Sequence, residues 1–238
     1  AEEAGVEALY VTVDTAITAI RERDVRNGFR SLTRVTPRLF ASLCRKPGWL
    51  FDIGRGGMPS VRAVEHRTDF GRGALEQAAN LSRRIDKRLA WKDIEALRDR
   101  WKGKLIIKGI LSPEDAKKAQ AIGVDGIVIS NHGGRQLDGA MSTIAALPDI
   151  RAAVGPDFTL MLDGGVRRGS DIVKALGMGA DGVMLGRAYT YGLAAKGQAG
   201  VDRAIETLRR EISITLALMG VSSIADLKER GSHLILKQ

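Results

Sequence analysis

The chain has 238 residues, 44% of them hydrophobic and 27% charged, with a formal charge of +9; this is enough apolar material for a domain with its own core. No apolar run is long enough for a transmembrane helix, no signal peptide is visible, and the single cysteine, Cys44, excludes an internal disulfide framework and fits a reducing compartment. Aromatic residues are few and no recognition motif accompanies the positive charge, so nucleic acid is not an expected partner.

In chain order, Ala1-Glu2-Glu3-Ala4-Gly5 reads as a helix end stopped by glycine. Gly5-Val6-Glu7-Ala8-Leu9-Tyr10-Val11-Thr12 then opens a repeating unit: a helix-ending glycine, an acid, a small residue and a short apolar strand. The unit recurs at Gly123–Ser130 and at Gly179–Gly186, where the strand is expected to run through Leu185. Two further strands are Leu105–Lys108 and Phe158–Asp163. Helices are expected from Ser112-Pro113, where serine caps and proline takes the first helical position, and from Ser170-Asp171 to Gly177–Gly179. Val201, Ile205, Leu208, Ile212, Leu216 and Met219 form an apolar stripe at helical spacing, which is expected to be core.

Strands alternating with helices imply a parallel sheet. Gly123 and Gly179 lie about 56 residues apart with one strand between them, or about 28 per unit, whereas Gly5 and Gly123 lie about 118 apart, also with one strand between. The excess of about 62 residues predicts an insertion after the first strand, at about 16–75, in a domain that otherwise spans 1–238. Residues 21–72 hold 12 Lys and Arg against 5 Asp and Glu, so most of the net charge sits in that segment. Regular units and uniformly apolar strands favour a TIM (β/α)₈ barrel of the α/β class, of which this chain supplies about five units, so that roughly three are expected before Ala1.

In such a barrel the reacting groups stand at the C-terminal strand ends. Those ends carry Thr12-Val13-Asp14-Thr15 with Arg21 soon after, then Lys108-Gly109, Ser130-Asn131-His132 with Arg135, Asp163-Gly164-Gly165-Val166-Arg167, and Gly186-Arg187. The last two loops suit a phosphate, through glycine amides, Arg167, Arg187 and the N-terminus of the following helix. Lys108 is expected to face a negative centre in the mouth. His132 beside Arg135 pairs a base with an anion clamp, as chemistry on a small carboxylic acid requires. His66 and His233 read as surface residues, Cys44 has no partner that would make it a nucleophile, and no cluster has metal-ligand spacing.

These motifs, above all Ser130-Asn131-His132-Gly133-Gly134-Arg135-Gln136-Leu137-Asp138, resemble the FMN-dependent L-2-hydroxy acid dehydrogenase and oxidase family over nearly the whole chain. The resemblance implies His132 as the base, Asp14 as its hydrogen-bond partner, and Arg135 with Arg21 as holders of the substrate carboxylate. It implies Lys108 at the flavin N1–C2=O edge, Thr12 and Ser130 on the flavin, Asp163 on the ribityl chain, and Gly165, Arg167, Gly186 and Arg187 on the phosphate. It also implies oxidation of a lactate- or mandelate-type acid, a quinone or respiratory acceptor, and a tetramer. The family often has proline where Ala16 stands and a glycine near Ala19-Ile20, departures that touch loop geometry and no reacting group. In the insertion, Leu39, Phe40, Leu43, Trp49, Leu50 and Phe51 among Arg34, Arg38, Arg45 and Lys46 suit an anionic membrane surface, implying a cytoplasmic enzyme peripheral on the inner face. The alternatives are a soluble oxidase using O₂ and an inactive piece that lacks the preceding strands.

Overall fold

A computed structural model of the chain describes residues 1–17, 19–26, 37–57, 60–71 and 74–235. It divides into two compact units, one of residues 1–15 with 89–238 and one of residues 16–88.

The 16–88 unit contains helices α1 (Glu22–Arg26), α2 (Pro37–Cys44), α3 (Pro47–Gly56) and α4 (Ala74–Arg83). Its buried anchor is Phe70, 5% exposed, with the guanidinium groups of Arg67 and Arg84 at 4.8 and 4.2 Å from the ring centroid. The same two arginines hydrogen-bond Asp69 and pull its carboxyl down to about 2. Arg34 lies outside the described residues.

The other unit is built on five parallel strands in sequence order: β1 (Ala8–Thr12), β2 (Lys104–Ile110), β3 (Gly126–Ile129), β4 (Thr159–Leu162) and β5 (Gly182–Val183). Between and after them come α5 (Trp91–Arg100), α6 (Pro113–Ile122), α7 (Thr143–Val154), α8 (Gly169–Gly177), α9 (Arg187–Leu218) and α10 (Ile224–Leu234). Ser112 caps α6 as its sequence predicts, accepting from Asp115 N at 3.1 Å. The open sheet corresponds to the five strand-helix units expected of a barrel. Successive strand residues face opposite ways. Leu105, Ile107, Ile127, Ile129, Leu160 and Leu162 form the helix-facing core and are at most 1% exposed. The alternate positions, Thr12, Lys108 and Val128 in register and Ser130 and Asp163 just past their strands, belong to the other face.

Three expectations need correction. β5 ends at Val183, not Leu185; Met184 still donates to Leu162 O at 2.8 Å, after which the chain leaves the ladder and turns at Gly186 into α9. β2 runs past Lys108 to Ile110 through a register shift at Gly109, whose φ is 110°. The α9 stripe is core only in part: Leu208 is 6% exposed and Ile212, Leu216 and Met219 pack on a cluster with Val173, Val221 and Leu227, but Ile205 is 45% exposed. The first glycine behaves as read: Gly5 ends the short helix Glu2–Ala4 at φ 66°.

The repeated acid has a structural cause. Asp125 Oδ2 accepts from Leu105 N at 2.9 Å and Asp181 Oδ2 from Leu160 N at 3.0 Å, so each fastens the start of its own strand to the preceding one. In the first copy the acid's main-chain oxygen is engaged instead and toward the following strand: Glu7 O accepts from Lys104 N of β2 at 2.9 Å. Arg98 and Arg151 complete the two later clamps, pairing with Asp125 at 2.9 Å and Asp181 at 2.7 Å. Burial raises the pKa of both carboxyls, but their hydrogen bonds outweigh it: from Lys104, Leu105 and Arg98 on Asp125, and from Leu160, Lys228 and Arg151 on Asp181. Both therefore lie below the ordinary 3.8. A depressed carboxyl stabilises the fold above its unfolded pKa, and that contribution is lost as pH falls through the folded value. The double variant Asp125→Asn, Asp181→Asn is therefore expected to be less stable at neutral pH. It should also lose less further stability than the native chain on acidification below about pH 4. Urea midpoints across pH check this; parallel curves would contradict it.

Candidate active site

The strand-end loops of the 1–15/89–238 unit build the site. After β1, Asp14 stands 3.1 Å (Oδ1) and 3.3 Å (Oδ2) from His132 Nδ1. The approach depends on Gly109, since a Cβ there would lie 2.7 Å from the Asp14 Cβ. His132 follows β3 with φ 55°, the single positive φ of a non-glycine residue among the described residues. Such a backbone costs on the order of 1–3 kcal/mol and persists where its surroundings fix it. Here Ser130 Oγ accepts from His132 N at 3.1 Å and Asn131 Oδ1 from Gly133 N at 3.0 Å. Arg187, beyond β5, donates to Gly133 O at 2.8 Å and ties the two loops together.

Lys108 donates to Ser130 Oγ at 2.5 Å and pairs with Asp163 Oδ2 at 2.7 Å. The other carboxylate oxygen, Asp163 Oδ1, is buried with no hydrogen-bond partner among the described residues. A buried acceptor in this condition marks a place where a ligand donor belongs.

Lys108, His132, Arg135, Asp163, Gly165, Arg167, Gly186 and Arg187 line one cleft of about 1000 Å³. Eight of the residues read from the sequence thus meet on one surface. Asp14 stands behind His132, and Thr12 is the register partner of Lys108. Ser130 is 0% exposed and does not line the cleft; two of its neighbours, Lys108 and His132, donate to its hydroxyl. Arg21 belongs to the 16–88 unit, just before α1.

The phosphate expectation changes in detail. At the start of α8, Arg167 N and Arg168 N both donate to Asp171 Oδ2 at 2.9 Å, and Gly169 N donates to Glu211 Oε2 at 2.7 Å. Those amides are taken by carboxylates. An anion in the cleft would be held by the glycine turn at Gly164-Gly165, by Arg167 and Arg187, and by the start of α9. The sequence places Ser170-Asp171 at the opening of this helix; the helix instead starts at Gly169 with its cap at Arg168, which puts Asp171 at the third helical position, where its carboxylate takes the cap amides. Sequence reading missed Glu211, 42 residues from its partner, and the bond that Gln136, a residue of the quoted histidine motif, donates to Asp14 O at 3.3 Å. Neither contact has a local signal.

The arrangement offers a polarised imidazole, a cation beside it, an unfilled buried acceptor for a hydroxyl, and an anion-holding end. No group of three or more His, Cys, Asp or Glu among the described residues could hold a metal ion.

A family profile described as "FMN-dependent dehydrogenase" matches residues 1–234. The L-lactate dehydrogenase of Caulobacter sp. strain K31 is 44% identical over 225 residues, covering 94% of this chain and 59% of that protein. Among solved structures, the monotopic membrane protein (S)-mandelate dehydrogenase matches with TM-score 0.87 and 41% identity, over 95% of this chain and 60% of that one. A flavocytochrome b2 mutant with pyruvate bound matches with TM-score 0.70 and 37% identity, over 95% of this chain and 48% of that one.

Proposed function

The chain belongs to the FMN-dependent dehydrogenase family, and on that premise we propose that it oxidises an L-2-hydroxy acid of the lactate or mandelate type to the 2-oxo acid with FMN as cofactor. The chain spans about three fifths of the length of the curated relatives it matches, 59% for the first of them. The observation that carries the proposal is the convergence of the Asp14–His132 pair, Arg135, Lys108 and Asp163 at one cleft mouth.

The residues fit FMN. Asp163 Oδ1 would accept from a ribityl hydroxyl, Thr12 and Ser130 contribute on the flavin side, and Gly165, Arg167, Gly186 and Arg187 would hold the phosphate. FMN, when bound, supplies a two-electron acceptor. The protein's residues do the rest. Arg135 holds the substrate carboxylate, because a planar guanidinium matches it in two hydrogen bonds. Asp14 occupies Nδ1 of His132 and leaves Nε2 to take the proton from the substrate; its charge then stabilises the imidazolium. Lys108, which lines the cleft, would place positive charge beside a bound flavin and so favour its reduced form. Reconstitution with FMN, followed by anaerobic addition of L-lactate or (S)-mandelate, should bleach the flavin absorbance. A protein that takes up FMN and is not bleached by a panel of 2-hydroxy acids would refute the assignment.

The acceptor we propose is a quinone, reached from the inner membrane face by a peripheral, cytoplasmic tetramer. The 16–88 unit supports the membrane reading. Phe40, Trp49, Leu50 and Phe51 are 62%, 52%, 39% and 66% exposed, with Arg45, Lys46 and Arg55 exposed among them on α2, α3 and the turn between. No helix among the described residues is long and apolar enough to cross a membrane. The protein should float with anionic liposomes at low salt and less well at high salt; sedimentation at low salt removes the membrane reading. Peroxide release in place of quinone reduction would favour the oxidase alternative.

A further inference from the structure

We propose that Asp163 sets how much of the Lys108 charge is felt in the cleft and so tunes the reduction potential of the bound flavin through that lysine; this rests on the FMN reading above. Two of the three ammonium protons of Lys108 are already committed, one to Asp163 Oδ2 at 2.7 Å and one to Ser130 Oγ at 2.5 Å. The two charged side chains are 15% and 18% exposed, so water screens the pair weakly. A carboxylate this close turns the lysine from a unit charge into a dipole. The field that reaches the cleft is correspondingly smaller.

Elsewhere in the cleft Arg168 pairs with Glu211 at 2.9 Å, but that arginine is 70% exposed, so water screens the pair far more than it screens Lys108 and Asp163. Arg167 and Arg187 lie in the loops after β4 and β5, where the phosphate end is placed, and the guanidinium of Arg187 is bound to a neutral carbonyl, Gly133 O. The second oxygen of Asp163 is buried and receives no hydrogen bond from the described residues, so Lys108 is the cation that they set against this carboxylate. Ser130, fixed at 0% exposure, keeps the ammonium from following a ligand away from Asp163.

The sign follows directly. Reduced flavin carries more negative charge than oxidised flavin, so the lysine raises the potential and the carboxylate, by cancelling part of the lysine's field, lowers it. Asp163→Asn should raise the midpoint potential by at least about tenfold in the two-electron equilibrium, which is about 30 mV. The experiment is dye-equilibration potentiometry on the FMN-saturated protein, run as a cycle of Asp163→Asn, Lys108→Met and the double variant. Lys108→Met should lower the potential, and Asp163→Asn should then add under a third of its single-variant effect. Asp163→Ser is a second neutral replacement with a smaller side chain, and it must give the same sign if the amide disturbs folding. An unshifted potential in the FMN-loaded neutral variants overturns the proposal. So does a shift that persists in full without Lys108, which would mean that Asp163 acts on the flavin directly. A native protein that takes up no FMN overturns the functional reading together with this one. Uptake without a shift overturns only this one.

Discussion

Replacing His132 by glutamine is expected to slow reduction of the flavin by substrate by roughly 10²–10⁴-fold, the range for lost general-base help, while FMN still binds. The geometry gives the reason for separating the two effects. His132 meets Asp14 through Nδ1 at 3.1 Å and is 31% exposed at the cleft, whereas Arg167 and Arg187, proposed to hold the phosphate, lie in other loops. Glutamine keeps a polar group of similar reach but cannot take up a proton near neutral pH. The left-handed backbone at this position penalises most residues alike, so the native φ of 55° argues for including His132→Asn. Asparagine tolerates that conformation and should show the same kinetic loss without a stability change. Stopped-flow reduction under anaerobic conditions reads the rate, and FMN fluorescence reads occupancy. A rate within threefold of native in an FMN-loaded variant would remove His132 from the role of base.

Much of this site is legible in the chain because a strand's two-residue alternation sorts chemistry from packing. Leu105, Ile107, Ile127 and Ile129 face the helices, and Lys108 and Ser130, in the opposite phase, belong to the reacting face. A lysine at the end of an apolar run therefore reads as deliberate before any coordinates exist. The repeated glycine-acid pattern is legible for the same reason, and its acid does mechanical work at the opposite strand ends, where Asp125 and Asp181 bind a neighbouring strand. What stayed hidden depends on distance in sequence. Glu211 reaches Gly169 from 42 residues away, and Gln136 reaches Asp14 from 122. Ser130 shows what position alone leaves out: its oxygen accepts from Lys108 and from the His132 amide, contacts that no local pattern announces. The short β5 had no warning either, because Met184 and Leu185 are as apolar as strand residues are. α5, whose Trp91, Ile94 and Leu97 recur at helical spacing, carried a signal that went unread.

The largest stability loss is expected at Arg151, not in the cleft. Arg151→Met should destabilise the 1–15/89–238 unit by about 2–4 kcal/mol, the range for losing several charge-assisted hydrogen bonds at a mostly buried group. The guanidinium is 17% exposed and donates to four carbonyls and one carboxylate: Gly155 O at 2.8 Å, Pro156 O at 3.1 Å, Phe158 O at 2.7 Å, Gly179 O at 2.9 and 2.7 Å, and Asp181 Oδ2 at 2.7 Å. It therefore joins the end of α7, the turn into β4 and the turn before β5. Methionine preserves much of the stem's packing, so the loss isolates the polar head. Asp181 keeps its bonds from Lys228 and Leu160 N, and at 38% exposure it is not left as a buried lone charge, which holds the estimate below that for a fully desolvated pair. Arg151→Lys should recover less than half, since three tetrahedral donors cannot reach acceptors arranged around a planar fork. Arg203→Met, which breaks an i,i+3 pair with Glu206 whose side chains are 76% and 70% exposed, should stay within about 0.5 kcal/mol of native. Because Arg151 lies at the N-terminal strand ends and the cleft at the C-terminal ends, FMN binding below the melting transition should be unchanged in Arg151→Met. Urea denaturation of the three variants decides the matter: if Arg151→Met unfolds at the native midpoint, the clamp at the repeat's acid does not hold the sheet.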